Sequence, residues 1–179
     1  MENQLHNIIN IIGKIKDLKR SGWIMRNVTL PESDADHSYG VTLLAAVMAP
    51  NNLDKQKCLK MALIHDLPEI YTGDFTPYDN ISQKDKHKLE REGALRLANE
   101  QQWPEIKDLI DEYNQCKTPE AKFVNMIDKL ETVITAKYYD NNNRSPQNLI
   151  DEFSEYAKKY AQQYGEEHLS AIKDMINSF

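Results

Sequence analysis

The stretch "ALIHDLPEIYTGD", Ala62 to Asp74, decides how this chain folds. It begins as an apolar run, preceded by Met61, and then sets His65 beside Asp66 and a carboxylate at Glu69. A neutral polar group taken from water without a partner costs roughly 1–3 kcal/mol, and an unpaired charge costs far more. After Cys58 the segment Asp54–Leu67 is apolar on almost all sides, which predicts a central, buried helix. The polar residues at its end must therefore be compensated.

Outward from this segment the apolar spacing is helical nearly everywhere. Leu5, Ile8, Ile9, Ile12 and Ile15 form one stripe of a first helix, ended by Ser21-Gly22. A connection runs through Pro31. Ser33 reads as an N-cap with Asp36 three residues later, a capping box with Asp replacing the usual Glu. His37, Val41, Leu44, Ala45 and Met48 then share one face until Pro50-Asn51-Asn52. Pro68 interrupts the central helix or starts a new turn, and Gly73–Asn80 is a loop rich in turn formers. Ser82–Gln102 reads as a charged, exposed helix, and Trp103-Pro104 separates it from a short helix ending near Cys116. Pro119–Asp140 carries Phe123, Ile127, Leu130 and Ile134 as its inner stripe. Beyond the polar loop Asn141–Pro146, two helices start near Gln147 and Glu166. No strand pattern, repeat or linker interrupts this series. The expectation is an all-α fold, a single domain over residues 1–179 with its core at about 30–140.

A chain of 179 residues can bury one sizeable core. Its 40% hydrophobic and 28% charged residues are ordinary for a soluble protein. No apolar stretch is long enough to cross a bilayer, so no membrane partner is expected. The start, Met1-Glu2-Asn3-Gln4, lacks the features of a secretory signal. Cys58 and Cys116 have no metal or disulfide spacing and read as reduced thiols in a cytoplasmic protein. A net charge of −6 argues against a nucleic-acid polymer as partner. Between Lys14 and Arg26, however, Lys14, Lys16, Lys19, Arg20 and Arg26 face only Asp17. A small anion could use part of this charge; the lysines read as a solvated helix end favoured by its dipole.

Four residues stand out: His37, His65, Asp66 and Asp128. Taken singly, His37 could be a hydrogen-bonded core histidine. Asp128, at the edge of its helix's apolar stripe, could be a surface carboxylate. Together, two imidazoles and two carboxylates are the donor set of a mixed N/O site for Mn, Fe, Co, Zn or Mg. A cation would neutralise the carboxylates and take up the imidazole lone pairs, which answers the burial problem.

This order, His, then His-Asp, then a distant Asp, all on helices, resembles the HD-domain metal-dependent phosphohydrolases. "PESDADHSYGV" (Pro31–Val41), "ALIHDLPEIYTGDFTP" (Ala62–Pro77) and "DKLE" (Asp128–Glu131) resemble blocks of the HD-domain 5'-deoxynucleotidases, and so does "SGWIMRNV" (Ser21–Val28). The resemblance spans roughly residues 5 to 140. It implies an HD-domain helical bundle holding one divalent metal ion on His37, His65, Asp66 and Asp128, since His6, His87 and His168 lie outside the matched blocks. It implies hydrolysis of nucleoside monophosphates by metal-activated water, with Glu69 in acid–base work and Asp74 assisting water activation or contacting substrate. Trp23 and Arg26 would be substrate contacts, an indole on the nucleoside and a planar fork on the phosphate. Some members carry Arg immediately before this Trp, where Gly22 stands here. Cyclic nucleotides, alarmones or triphosphates are the alternative substrates, and a non-catalytic metal-binding module is a third reading. The family is often dimeric, and Tyr138, Tyr139, Tyr156, Tyr160 and Tyr164 would offer an exposed homodimer surface.

Overall fold

The computed structural model describes residues 2–76, 78–162 and 166–178, and the described residues are predominantly helical. Among the described residues ten helices follow in order: α1 (Glu2–Asp17), α2 (Ser21–Ile24), α3 (Asp34–Met48), α4 (Lys55–Ile64), α5 (Glu69–Thr72), α6 (Gln83–Gln101), α7 (Glu105–Gln115), α8 (Pro119–Asn141), α9 (Leu149–Gln162) and α10 (Glu166–Asn177). The only extended pairing among the described residues is an isolated antiparallel bridge between Lys19 and Ser33.

The central helix is α8, not the segment around His65. Pro119 starts it behind the N-cap Thr118, whose hydroxyl accepts from the Ala121 amide. Its buried residues include Val124, Ile127, Asp128, Leu130, Glu131 and Val133, which surround the helix rather than line one stripe. Asp128, which the spacing places at the edge of a stripe, is therefore fully enclosed. The main apolar cluster joins α8 to α3 (Val41, Ala45), α4 (Cys58, Met61, Ala62), α9 (Ala157, Ala161) and α10 (Ile172). A second cluster places Ile11 and Ile64 with Ala94, Leu97, Ile106 and Ile110. A third encloses Trp23 and Val28 with Ala136, Tyr139 and Leu149.

Several expectations change. The first helix stops at Asp17, and Ser21 opens a second short helix instead of ending the first. The apolar stripe on α1 is largely outside: Leu5 is 62% exposed and Ile9 59%, while Ile11 and Ile15 turn inward. The segment Asp54–Leu67 is helical only over Lys55–Ile64, where α4 ends, and Pro68 leads into α5. The charged α6 also buries Ala94 and Leu97. Gly93 makes that approach close: a Cβ there would lie 3.0 Å from the Pro68 carbonyl oxygen. Of the tyrosines expected at a surface, Tyr138 and Tyr156 are exposed, Tyr139 is buried, and Tyr160 donates to Asn125. Tyr164 lies outside the described residues.

Candidate metal centre

α3, the turn after α4, and α8 bring the four expected ligands together. The Ser33 capping box begins α3: its side chain accepts from the Asp36 amide, and the Asp36 carboxylate accepts from the Ser33 N–H. This fixes the first turn, which carries His37. His65 is the C-cap of α4 and Asp66 follows it. Nitrogens of His37 and His65 and an oxygen of Asp128 lie within 4.8 Å of one another. Asp66 Oδ2 completes the group, 3.3 Å from His65 Nε2 and 3.7 Å from His37 Nε2.

The donor set fits a cation. His65 Nδ1 lies 2.8 Å from the Ala62 carbonyl, so this nitrogen carries the proton. Its Nε2 then presents a lone pair, buried and without a hydrogen-bond partner. Burial pushes the His65 pKa down, against the pull of Asp66 and Asp128, so the ring is neutral. An unpaired imidazole nitrogen facing carboxylates at this depth is what a divalent ion accepts. Asp128 Oδ1 lies 3.2 Å from His37 Nε2, while its Oδ2 accepts from Tyr113 Oη at 2.6 Å and Lys129 Nζ at 2.7 Å. Burial disfavours the Asp128 anion, but Lys129 and the histidines outweigh it and hold its pKa well below the usual range.

A second acidic group adjoins the first. Asp34, Glu69 and Asp74 each place an oxygen within 4.8 Å of the other two. Arg20 links the groups: its Nη1 is 2.9 Å from Asp66 Oδ2, 3.7 Å from Asp74 Oδ1 and 4.0 Å from Asp34 Oδ1. Glu69 is buried and its Oε2 has no hydrogen-bond partner. Burial, then Asp66 and Asp74, push its pKa well above the carboxylate range, against Arg20 and Lys86. The Asp74 Oδ2 accepts from the Ser21 amide at 2.5 Å.

The two expected substrate contacts lie elsewhere. Trp23 is 2% exposed; its ring meets Tyr139 edge-on at 5.1 Å and Phe153 at 4.5 Å, and its N–H donates to Glu32 at 2.8 Å. No free indole face remains for a nucleoside, because α9 and the end of α8 cover it. The Arg26 guanidinium is held by the Glu152 carboxylate, with Nε 3.0 Å from Oε2, and packs over Phe153. Arg20 is the guanidinium that reaches the centre. In the sequence Arg20 is one of five positive residues between Lys14 and Arg26, part of whose charge a small anion could use, and it stands immediately before the block Ser21–Val28. Asp34, Tyr113, Lys129 and Glu131 were missed. Asp34 and Glu131 sit three residues from a ligand on the same helix, which is one helical turn.

An all-helical frame that brings two imidazoles and two carboxylates together offers the donor set of a divalent cation. A model of the HD domain family matches residues 12–171, and the chain belongs to that family. The 5'-deoxynucleotidase HDDC2 of Homo sapiens is 34% identical over 159 residues, covering 87% of this chain and 78% of that protein. The corresponding protein of Dictyostelium discoideum is 38% identical over 161 residues, 84% of each. Among solved structures, the PH0347 protein from Pyrococcus horikoshii OT3 is 34% identical, with a TM-score of 0.74 over 95% of both chains. The cyanophage S-2L HD phosphohydrolase DatZ, bound to dA and one catalytic Zn2+, shares the fold at a TM-score of 0.60 and 21% identity, over 95% of this chain and 96% of that one.

Proposed function

We propose that this chain is a metal-dependent 5'-nucleotidase that removes the phosphate from (deoxy)nucleoside monophosphates. The observation that carries the reading is the orphaned His65 Nε2, grouped with His37 and Asp128 and 3.3 Å from Asp66 Oδ2. Relatives named 5'-deoxynucleotidase, matching most of this chain, support the substrate class.

His37, His65, Asp66 and Asp128 would hold one divalent ion, of Mn, Co, Fe, Zn or Mg. Such an ion lowers the pKa of water from 15.7 towards ~7 and polarises a phosphoryl oxygen. Glu69, whose pKa is raised by burial and then by Asp66 and Asp74, is the group that would protonate the leaving 5'-oxygen. Asp74, beside Arg20 and anchored by the Ser21 amide, directs the attacking water. Arg20 and Lys86, whose Nζ lies 4.0 Å from Glu69 Oε1, supply the fixed positive charge that a phosphate dianion needs in an acidic chain. Trp23 and Arg26 serve as supports: they fasten the segment bearing Arg20 to α9.

The test is phosphate release from a nucleotide panel with each metal added in turn. Monophosphates are the expected substrates, and Asp66→Ala should lose at least ~100-fold in rate with its helical signal retained. An unchanged rate in Asp66→Ala would refute the reading, and faster turnover of cyclic nucleotides, alarmones or triphosphates would move the substrate class.

We also infer a homodimer in the cytoplasm. Cys58 and Cys116 are both buried and not joined in a disulfide, which suits a reducing compartment. No helix among the described residues is long and apolar enough to cross a membrane. Tyr39, Leu43 and Val47, exposed one turn apart on α3, join Leu5 and Ile9 of α1 as uncovered apolar surface. Light scattering should give twice the chain mass at micromolar concentration; a monomer mass would exclude the dimer.

A further inference from the structure

We infer that Glu131 is a positioning residue that fixes which nitrogen of His37 faces the cation, and that Gly40 is the space that admits it. The inference rests on the metal-centre reading above. α3 and α8 cross so that His37 and Gly40, three residues apart, oppose Asp128 and Glu131, also three apart. His37 Nδ1 lies 2.5 Å from Glu131 Oε2, and His37 Nε2 lies 3.2 Å from Asp128 Oδ1. The imidazole is completely buried between two carboxylates, one on each nitrogen. A carboxylate cannot donate, so the Nδ1 beside Glu131 holds its proton. By the same reasoning Nε2 carries a proton towards Asp128 in the metal-free protein; a cation bound there would replace that proton, while Glu131 keeps the proton on Nδ1 and holds the ring against flipping.

Glu131 is itself held. Its Oε1 accepts from Thr135 Oγ1 at 2.9 Å, one helical turn on. A Cβ at Gly40 would lie 2.6 Å from that same Oε1 and 2.9 Å from Glu131 Cγ. Any larger residue at position 40 would drive the carboxylate off His37. Gly40 stands inside a helix, where glycine costs ~1 kcal/mol relative to alanine, and this approach is the compensating contact. His65 achieves the same end differently, through the Ala62 carbonyl. The two histidines thus present the same nitrogen by different partners, and only the His37 partner can be altered by substitution.

The experiment titrates metal-free full-length protein with Mn2+ by calorimetry and records long-range 1H–15N spectra of the Zn2+-loaded protein. Wild type should show a proton on His37 Nδ1 and nitrogen–metal coordination at Nε2. Glu131→Gln should weaken Mn2+ binding by about 10-fold and Glu131→Ala by up to about 100-fold, with the Nδ1–H signal lost in the alanine variant. Gly40→Ala should weaken binding in the wild-type background and have little further effect on top of Glu131→Ala, a coupling that mere loss of stability would not produce. If Glu131→Ala fails to fold, Glu131→Gln carries the test. Wild-type Mn2+ affinity in Glu131→Gln, or an unchanged His37 signal in Glu131→Ala, would overturn the positioning role and leave the metal centre standing. Failure of wild type to bind Mn2+ or Zn2+ would overturn both.

Discussion

Glu32 reports the electrostatics of the centre from outside its ligand set. Its Oε1 accepts from the Trp23 indole, and it belongs to a close group with His37 and Glu131. Burial, reinforced by Glu131, raises its pKa to about 7, against the pull of His37, the indole bond and Arg20. The folded protein therefore binds a proton that the unfolded chain releases near pH 4.5. The sign follows: this group costs nothing below pH 4.5, and its destabilising effect grows as pH rises to about 7 and then levels. In metal-free protein, Glu32→Gln keeps an oxygen acceptor for the indole and removes the titration. Its stability loss between pH 4.5 and 7.5 should be smaller than that of wild type by about 1–3 kcal/mol. Asp34, raised to about 7 by burial and Asp66, acts in the same direction, so some slope should persist. Urea unfolding at both pH values measures this; identical pH dependence in the two proteins would place the proton elsewhere.

Among the elements, α3 and α8 make the centre. The α3 cap joins fold to function because His37 lies in the turn that Ser33 secures. Ser33→Ala should cost ~1 kcal/mol, lowering Tm by roughly 2–4 °C for a chain of this size. Fraying of that turn should also weaken Mn2+ binding. Equal affinity with lowered Tm would show that His37 is held by Glu131 and Asp128 alone. The cap was legible because Ser33 and Asp36 stand at fixed offsets before a helical stripe. The same kind of reading failed on α1, where Leu5, Ile8, Ile9 and Ile12 repeat at helical spacing yet stay exposed. Periodicity reveals that a helix has an apolar face but not whether another element covers it. It failed again at Asp128, where a stripe edge became interior because α3, α7 and α9 pack around α8. The convergence of His37, His65, Asp66 and Asp128 was legible from residue type and local pattern. Arg20, Glu131 and Tyr113 were not, since their roles depend on which helices meet, and ordinary charged or aromatic residues carry no mark of that.

At the scale of the whole molecule, one centre gathers charges that would otherwise oppose folding. Asp34, Asp66, Glu69, Asp74 and Asp128 cluster in a chain of net charge −6. Arg20 and Lys129 offset part of this, and the desolvation of so many carboxylates remains. A divalent cation bound by the folded form and not by the unfolded chain stabilises by RT ln(1 + [L]/Kd), about 2.7 kcal/mol at 100 times Kd. The proposed ligands come from α3, the α4–α5 turn and α8, so binding there would tie together segments up to 91 residues apart in sequence. Free Mn2+ at that excess should raise Tm by about 5–10 °C over chelator-treated protein. Asp128→Ala should lose most of the rise, because it removes one ligand and leaves Lys129 without its carboxylate. Glu69→Gln, outside the four-ligand set, should keep the rise and lose phosphate release. Calorimetry with chelator, with Mn2+ and with each variant separates these outcomes. A Tm indifferent to metal in wild type would mean that the four side chains are satisfied by one another and that no cation completes the fold.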